Sequence, residues 1–291
     1  MARALLAAID LLLAPADAPR SDATLAAVHA PRDAELARPD STREEPPGGD
    51  GQIQRLARAT GLLYLALAVL GMFSAIVLES LVVPGDAQAT ALSVLGSRRL
   101  FGSSLVTWLV VVVADVAIAV TFYLLLRPVS RMLALLAAAL RLVYSAVLAA
   151  VLVNLFDAFR LLTGARAAGL SERQRQVMAL VALDTFSVGF LLALVLFGVH
   201  LLALGALLYR SRYLPRVLGV LLVAAGVGYI ADSLAGLLLA DHGGLLSAVL
   251  LAPTVVGELG LTAWLLLRGV TAPRWDHGRV GRHPHPASRR P

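Results

Sequence analysis

Apolar residues run along this chain in six blocks, each long enough to cross a membrane as a helix. The blocks lie at about residues 60–83, 101–126, 133–156, 184–209, 216–240 and 245–267. A helix of about 20 residues spans a bilayer core of roughly 30 Å, so each block predicts one transmembrane helix. The polar positions between them punctuate the pattern. Pro84-Gly85-Asp86 breaks the first block, and Asp86 is placed to cap a short helix that ends near Gly96. Arg127-Pro128 and Arg131 close the second block, ahead of the third. Residues 157–183 form the longest connection. Within it Ser171-Glu-Arg-Gln174 reads as a capping box opening an amphipathic helix that continues into span four. Pro215 stands just before Arg216, at the start of span five, where its missing N–H is harmless. Tyr213 beside it suits the interfacial zone. The predicted architecture is all-α: a polytopic membrane protein, a six-helix transmembrane bundle with short amphipathic helices in its outer loops.

Composition agrees with the pattern and sets the flanks apart. Hydrophobic residues make up 58% of 291 positions and charged ones 15%, with a mean hydropathy of +0.79. A soluble fold cannot bury that much apolar surface. Residues 1–54 differ: from residue 15 onward they mix Pro, Asp, Glu, Arg and Gly with few large apolar side chains, which predicts a disordered tail. Residues 1–15 imitate a signal peptide, but Asp10 interrupts the apolar run. They read instead as a marginal amphipathic helix or an over-extended gene start. Residues 55–270 are the membrane domain. Residues 271–291 are a basic, disordered tail whose His277, His283 and His285 lie among prolines, the pattern of a solvated or headgroup-bound segment rather than a metal site.

Charge sets an expected orientation. All 25 basic residues are arginine. The short turns hold Arg127 and Arg131, then Arg210, Arg212 and Arg216, on the same side as Arg55, Arg58 and Arg268. By the positive-inside rule both termini are cytoplasmic and the protein sits in the inner membrane. The sequence pI near 10.4 then reflects topology and anionic headgroups, not nucleic acid. The chain has no cysteine, which excludes disulfides, thiolate catalysis and cysteine metal sites.

Ionisable residues inside spans are costly and mark sites. Span two holds Asp115, span three Arg141, span four His200, span five Asp232 and span six Glu258. Counted from the arginine-rich ends at 1.5 Å per residue, Asp115, Arg141, His200 and Glu258 share one depth, roughly 12–18 Å in. Asp232 lies farther out, and Glu79, Asn154, Asp157 and Asp184 make a second layer near the outer boundary. Small residues share faces with several of them: Ala224, Gly228 and Gly236 with Asp232, Gly189 and Ala193 with His200, and Ala68, Gly71 and Ala75 with Glu79. Such stripes let membrane helices approach closely, so these faces are expected to point inward. Asp115 and Arg141 are expected to pair, with Glu258 as second acceptor for the guanidinium and His200 near one of the carboxylates. A pair of this kind can pin helix register as readily as it can serve chemistry. The residues supply no catalytic signature, no metal site and no cofactor motif.

The segments Ala59-TGLLYL, Gly85-DAQATA, Phe122-YLLLRPVSRMLALLAAALRLV, Phe197-GVHLLALGALLYRSRYLPRVLGVLLVAAGVGYIADS and Gly257-ELGLTAWLLLRGV, in that order, resemble the prokaryotic multispan family called domain of unknown function 4386. The likeness covers about residues 55–270. It implies a six-span bundle in the inner membrane, and it places the family's polar positions on Asp115, Arg141, His200, Asp232 and Glu258. It implies no activity. Three functions remain open on the residues: a non-enzymatic bundle binding a small molecule, lipid or partner; a proton-coupled transporter relaying through Asp115, His200 and Glu258; and an intramembrane enzyme with His200 or Glu258 as base. The bilayer is the expected partner in each, and no feature sets an oligomeric state.

Overall fold

The computed structural model describes residues 49–165, 169–211, 214–239 and 244–270. They form seven helices: α1 (Gly49–Leu81), α2 (Ala87–Gly96), α3 (Arg98–Leu126), α4 (Arg131–Leu162), α5 (Glu172–Arg210), α6 (Arg216–Leu238) and α7 (Gly244–Leu267). There is no strand among the described residues. All but α2 are long and apolar enough to cross a membrane, so the chain is a multi-pass membrane protein.

Local signals account for most helix ends. Asp86 Oδ1 accepts from the N–H groups of Gln88 and Ala89 at 3.0 and 2.9 Å, and Gly85 turns the chain before it with φ of 77°. Thr90 then ties α2 back to the end of α1, because its hydroxyl accepts from Val83 N–H and donates to Val83 C=O. At α5 the capping box is complete: Gln174 N–H donates to Ser171 Oγ at 3.3 Å, and Ser171 N–H to Gln174 Oε1 at 2.8 Å. Pro215 stands immediately outside α6, with φ of −59°, and kinks nothing.

Two boundaries differ from expectation. Helix α1 begins at Gly49, so residues 49–54 belong to the bundle and not to the tail. The reason is Gln54, whose Nε2 donates to Arg268 C=O at 2.9 Å and whose Oε1 accepts from Val270 N–H at 3.1 Å. That side chain fastens the start of α1 to the end of α7. Helix α4 runs on to Leu162, past the apolar block, whereas α5 is the one continuous helix, here of 39 residues, that the capping box predicts. The rest of the N-terminal tail, the C-terminal tail and Tyr213 lie outside the described residues.

The six long helices form a closed ring in chain order. Each packs on its sequence neighbours, and α7 returns to α1, while the short α2 lies against α5. Because direction alternates, the start of α1, the α3–α4 and α5–α6 turns and the end of α7 share one end of the ring, the terminal end. The opposite end carries α2 and the α4–α5 connection. Inside the ring pack Phe101, Trp108, Ile118, Leu148, Leu152, Leu201 and Leu204. The outside is equally apolar, with Val106, Met132, Val153 and Val217 well exposed. A surface that needs no polar cover is one that faces lipid.

The tightest seam joins α5 and α6. A Cβ placed on Gly205 would meet the Gly219 carbonyl oxygen at 2.7 Å, and one on Gly198 would meet the Gly226 carbonyl oxygen at the same distance. The reciprocal placements on Gly219 and Gly226 collide as well. Four glycines thus let the two backbones touch directly.

Candidate functional site

At mid-depth the ring encloses one guanidinium. Arg141 on α4 has no solvent exposure, and its Nη2 donates to Asp115 Oδ1 on α3 at 2.5 Å. The short α3–α4 turn sets the two at one height, since both residues stand roughly 16 Å from it along antiparallel helices. The flat faces of the cation are covered too. Its Cζ lies 5.1 Å from the Tyr64 ring centroid on α1 and 5.2 Å from that of Phe197 on α5, within the range of cation–π attraction. A buried charge is tolerable only with such compensation.

His200 completes the inner set. Its Nδ1 is 2.8 Å from the Ala137 carbonyl oxygen and its Nε2 is 3.3 Å from Arg141 Nη1. A carbonyl only accepts and a guanidinium only donates, so both contacts are satisfied by the neutral ring with its proton on Nδ1. Arg141 thereby reaches α3 through Asp115 and α5 through His200.

The remaining helices join through aromatic hydroxyls. Tyr64 O–H donates to Glu258 Oε2 on α7 at 2.8 Å. Tyr229 on α6 lies beside the same carboxylate and meets Phe197 edge-on with centroids 5.3 Å apart. Tyr144, one turn past Arg141, packs on Phe197 at 4.9 Å. All six long helices therefore contribute a polar or aromatic side chain to one network. Three of its atoms are enclosed without a hydrogen-bond partner: Arg141 Nε, Asp115 Oδ2 and Glu258 Oε1.

The arrangement corrects several expectations. Glu258 does not take a hydrogen bond from the guanidinium; Tyr64 stands between them, and its ring occupies the approach Glu258 was expected to use. His200 lies beside the cation, not beside a carboxylate, because its other nitrogen is held by Ala137 on the same helix as Arg141. Asp232 is half-buried, one turn beyond Tyr229 toward the far end. The expected outer layer is not assembled. Glu79 and Asp184 are exposed, while Asn154 and Asp157 are half-buried, and Asn154 Nδ2 donates to Val151 C=O of its own helix. The Ala68–Gly71–Ala75 stripe was expected to turn Glu79 inward, yet a Cβ on Gly71 would meet nothing within 4 Å. At the turn, Arg216 is exposed, with its Cζ 5.9 Å from the Tyr209 ring centroid.

Tyr64, Tyr144, Phe197 and Tyr229 were not singled out from the sequence. For the three tyrosines the one available signal was their mid-span position, since a phenolic O–H buried in a membrane needs a polar partner, while Phe197 offered none. Among the described residues, no three of His, Asp and Glu converge so as to hold a metal ion.

Comparison with known proteins agrees with the extent of the ring. The family described as Domain of unknown function (DUF4386) matches residues 59–269, a span that includes every member of the network. An uncharacterized protein of Archaeoglobus fulgidus is 31% identical over 166 residues, which cover 57% of this chain and 83% of that protein. No solved structure matches.

Proposed function

We propose a binding role for this chain, which belongs to the DUF4386 family and takes from it no assigned activity. It is a non-enzymatic bundle of the inner membrane, with both termini cytoplasmic, that holds a small molecule or lipid headgroup at its mid-depth network. The observation that carries this reading is the trio of enclosed, unpartnered atoms on Asp115, Arg141 and Glu258. Buried polar atoms are ordinarily satisfied, and a site with both donor and acceptor capacity left over suits a polar ligand. The ring does not suit catalysis by His200, whose nitrogens face a carbonyl and a guanidinium rather than a hydroxyl that it could activate. The same two contacts speak against His200 as a proton relay.

The test is to purify the protein in mild detergent and identify by mass spectrometry what stays bound. A lipid or metabolite retained by the wild type and lost from Glu258→Gln is the expected result. Proton flux in liposomes that depends on His200, with nothing retained, would replace binding by transport. The orientation is checked separately. Proteolysis of inverted vesicles should remove residues 1–48, and protection of that segment would reverse the topology.

A further inference from the structure

Two helices of the ring, α1 and α7, are the least buried of the six. Their close contacts gather at the terminal end. Gln54 binds Arg268 and Val270, and a Cβ on Gly61 would meet the Leu265 and Leu266 side chains at 3.0–3.1 Å. Farther along, Tyr64 O–H donates to Glu258. Beyond it, Ala68, Gly71 and Ala75 continue the face of Tyr64 at helical spacing. Gly71 has open space beside it and Ala75 is exposed. On α7 the face of Glu258 continues outward through Leu251, while Thr254 is buried with its Oγ1 toward Gly228 of α6. A wedge lined by small and apolar side chains thus runs between the two helices from the far half of the bilayer and ends at Glu258.

We infer that this wedge is a lateral portal through which an amphiphile with a primary ammonium headgroup reaches the Glu258 carboxylate from the outer half of the membrane. The inference rests on the binding role proposed above and adds the route and the ligand class. The headgroup follows from charge. The network sets two carboxylates, Asp115 and Glu258, around a single guanidinium that Asp115 already engages. A ligand bringing positive charge suits the carboxylate that the guanidinium leaves unbonded. It must also bring N–H donors, because Glu258 Oε1 is enclosed and lacks one. A quaternary ammonium has none. The tail follows from the walls, since a ligand arriving between α1 and α7 crosses only apolar and small residues and keeps its chain in lipid.

Photolabelling of the full chain in lipid nanodiscs with a diazirine-bearing dodecylamine tests both parts. Labelled residues should fall on α1 between 68 and 76 and on α7 between 247 and 256. Unlabelled dodecylamine should compete and dodecanol should not. Glu258→Gln should cut labelling by roughly tenfold or more, the effect of about 1.4 kcal/mol in binding. Gly71→Trp, placed where the structure has room, should plug the wedge and cut labelling as strongly while leaving the unfolding midpoint unchanged. Labelling insensitive to Glu258→Gln would overturn the ligand site and the binding role together. Labelling that needs Glu258 but ignores Gly71→Trp would overturn the portal alone. Equal competition by dodecanol would overturn the ammonium, and it requires no variant to fold.

Discussion

The seam between α5 and α6 and the seam between α1 and α7 draw on the same kind of residue and use it in opposite ways. On α5 and α6, Gly198 and Gly205 meet Gly226 and Gly219 backbone to backbone, so no side chain fits between the helices. On α1, Gly61 is packed against leucines of α7, yet Gly71, farther along the same helix, touches nothing. Small residues permit close approach without compelling it. What decides is whether the partner helix presents small residues at the same heights, as α6 does to α5. Helix α7 presents leucine to Gly61 and nothing within 4 Å to Gly71. The Arg141 network connects the two seams, since Arg141 contacts His200 on α5 and Tyr64 on α1, which in turn holds α7.

Cutting that connection should have the largest effect. Asp115→Ala strands the guanidinium of Arg141 in the ring and should destabilise by about 3–5 kcal/mol. The double variant Asp115→Ala with Arg141→Leu should be less damaged than the single one, because it strands nothing. Reversible unfolding in detergent–SDS mixtures reads both, and a double variant as poor as the sum of the two single variants would mean that Asp115 and Arg141 are not energetically coupled. Next comes the tight seam. Gly205→Val must push apart two backbones that cannot yield, a loss of about 3 kcal/mol at the upper end of overpacking. If Gly205→Val unfolds like the wild type, the two backbones are not in contact.

The looser seam should respond more weakly. Gly61→Ala meets Leu266 Cγ and Leu265 Cβ at 3.0–3.1 Å, contacts relieved by a small shift of α7, so a loss of about 1 kcal/mol is expected in the same assay. A loss as large as that of Gly205→Val would make the two seams equally rigid. Gly71→Leu should be neutral within about 0.5 kcal/mol, or slightly stabilising through better helix propensity. A marked loss there would show that α1 is covered along its whole length.

The sequence carried much of this. Six spans were legible because each apolar block matches the bilayer, and Asp86 and the Ser171–Gln174 box located helix starts to the residue. The Asp115–Arg141 pair was legible because a short turn fixes relative depth on both sides of it. Direction was not legible. Periodicity says that Glu79 shares a face with Gly71 and Ala75, but not what that face looks at, and in lipid an outward face is no more polar than an inward one. His200 could be placed at the right depth, yet its partner depended on rotation about α5, which depth does not constrain. Tyr64 and Phe197 were hidden because aromatics are at home anywhere in a membrane helix. Gln54 sat at the edge of a polar segment, and its role depends on a contact with residues at the other end of the chain.

That contact also fixes an order of events. Gln54 and Arg268 are 214 positions apart, and at ribosomal speeds of about 5–20 residues per second the second follows the first by on the order of ten seconds or more. During that interval α3 and α4 can insert as a hairpin with Asp115 and Arg141 already paired, so the nascent protein need not hold a bare arginine in the bilayer. Tyr64 has no Glu258 to bind until the last helix emerges. The ring is therefore finished at the α1–α7 seam, where its two oldest and youngest helices meet.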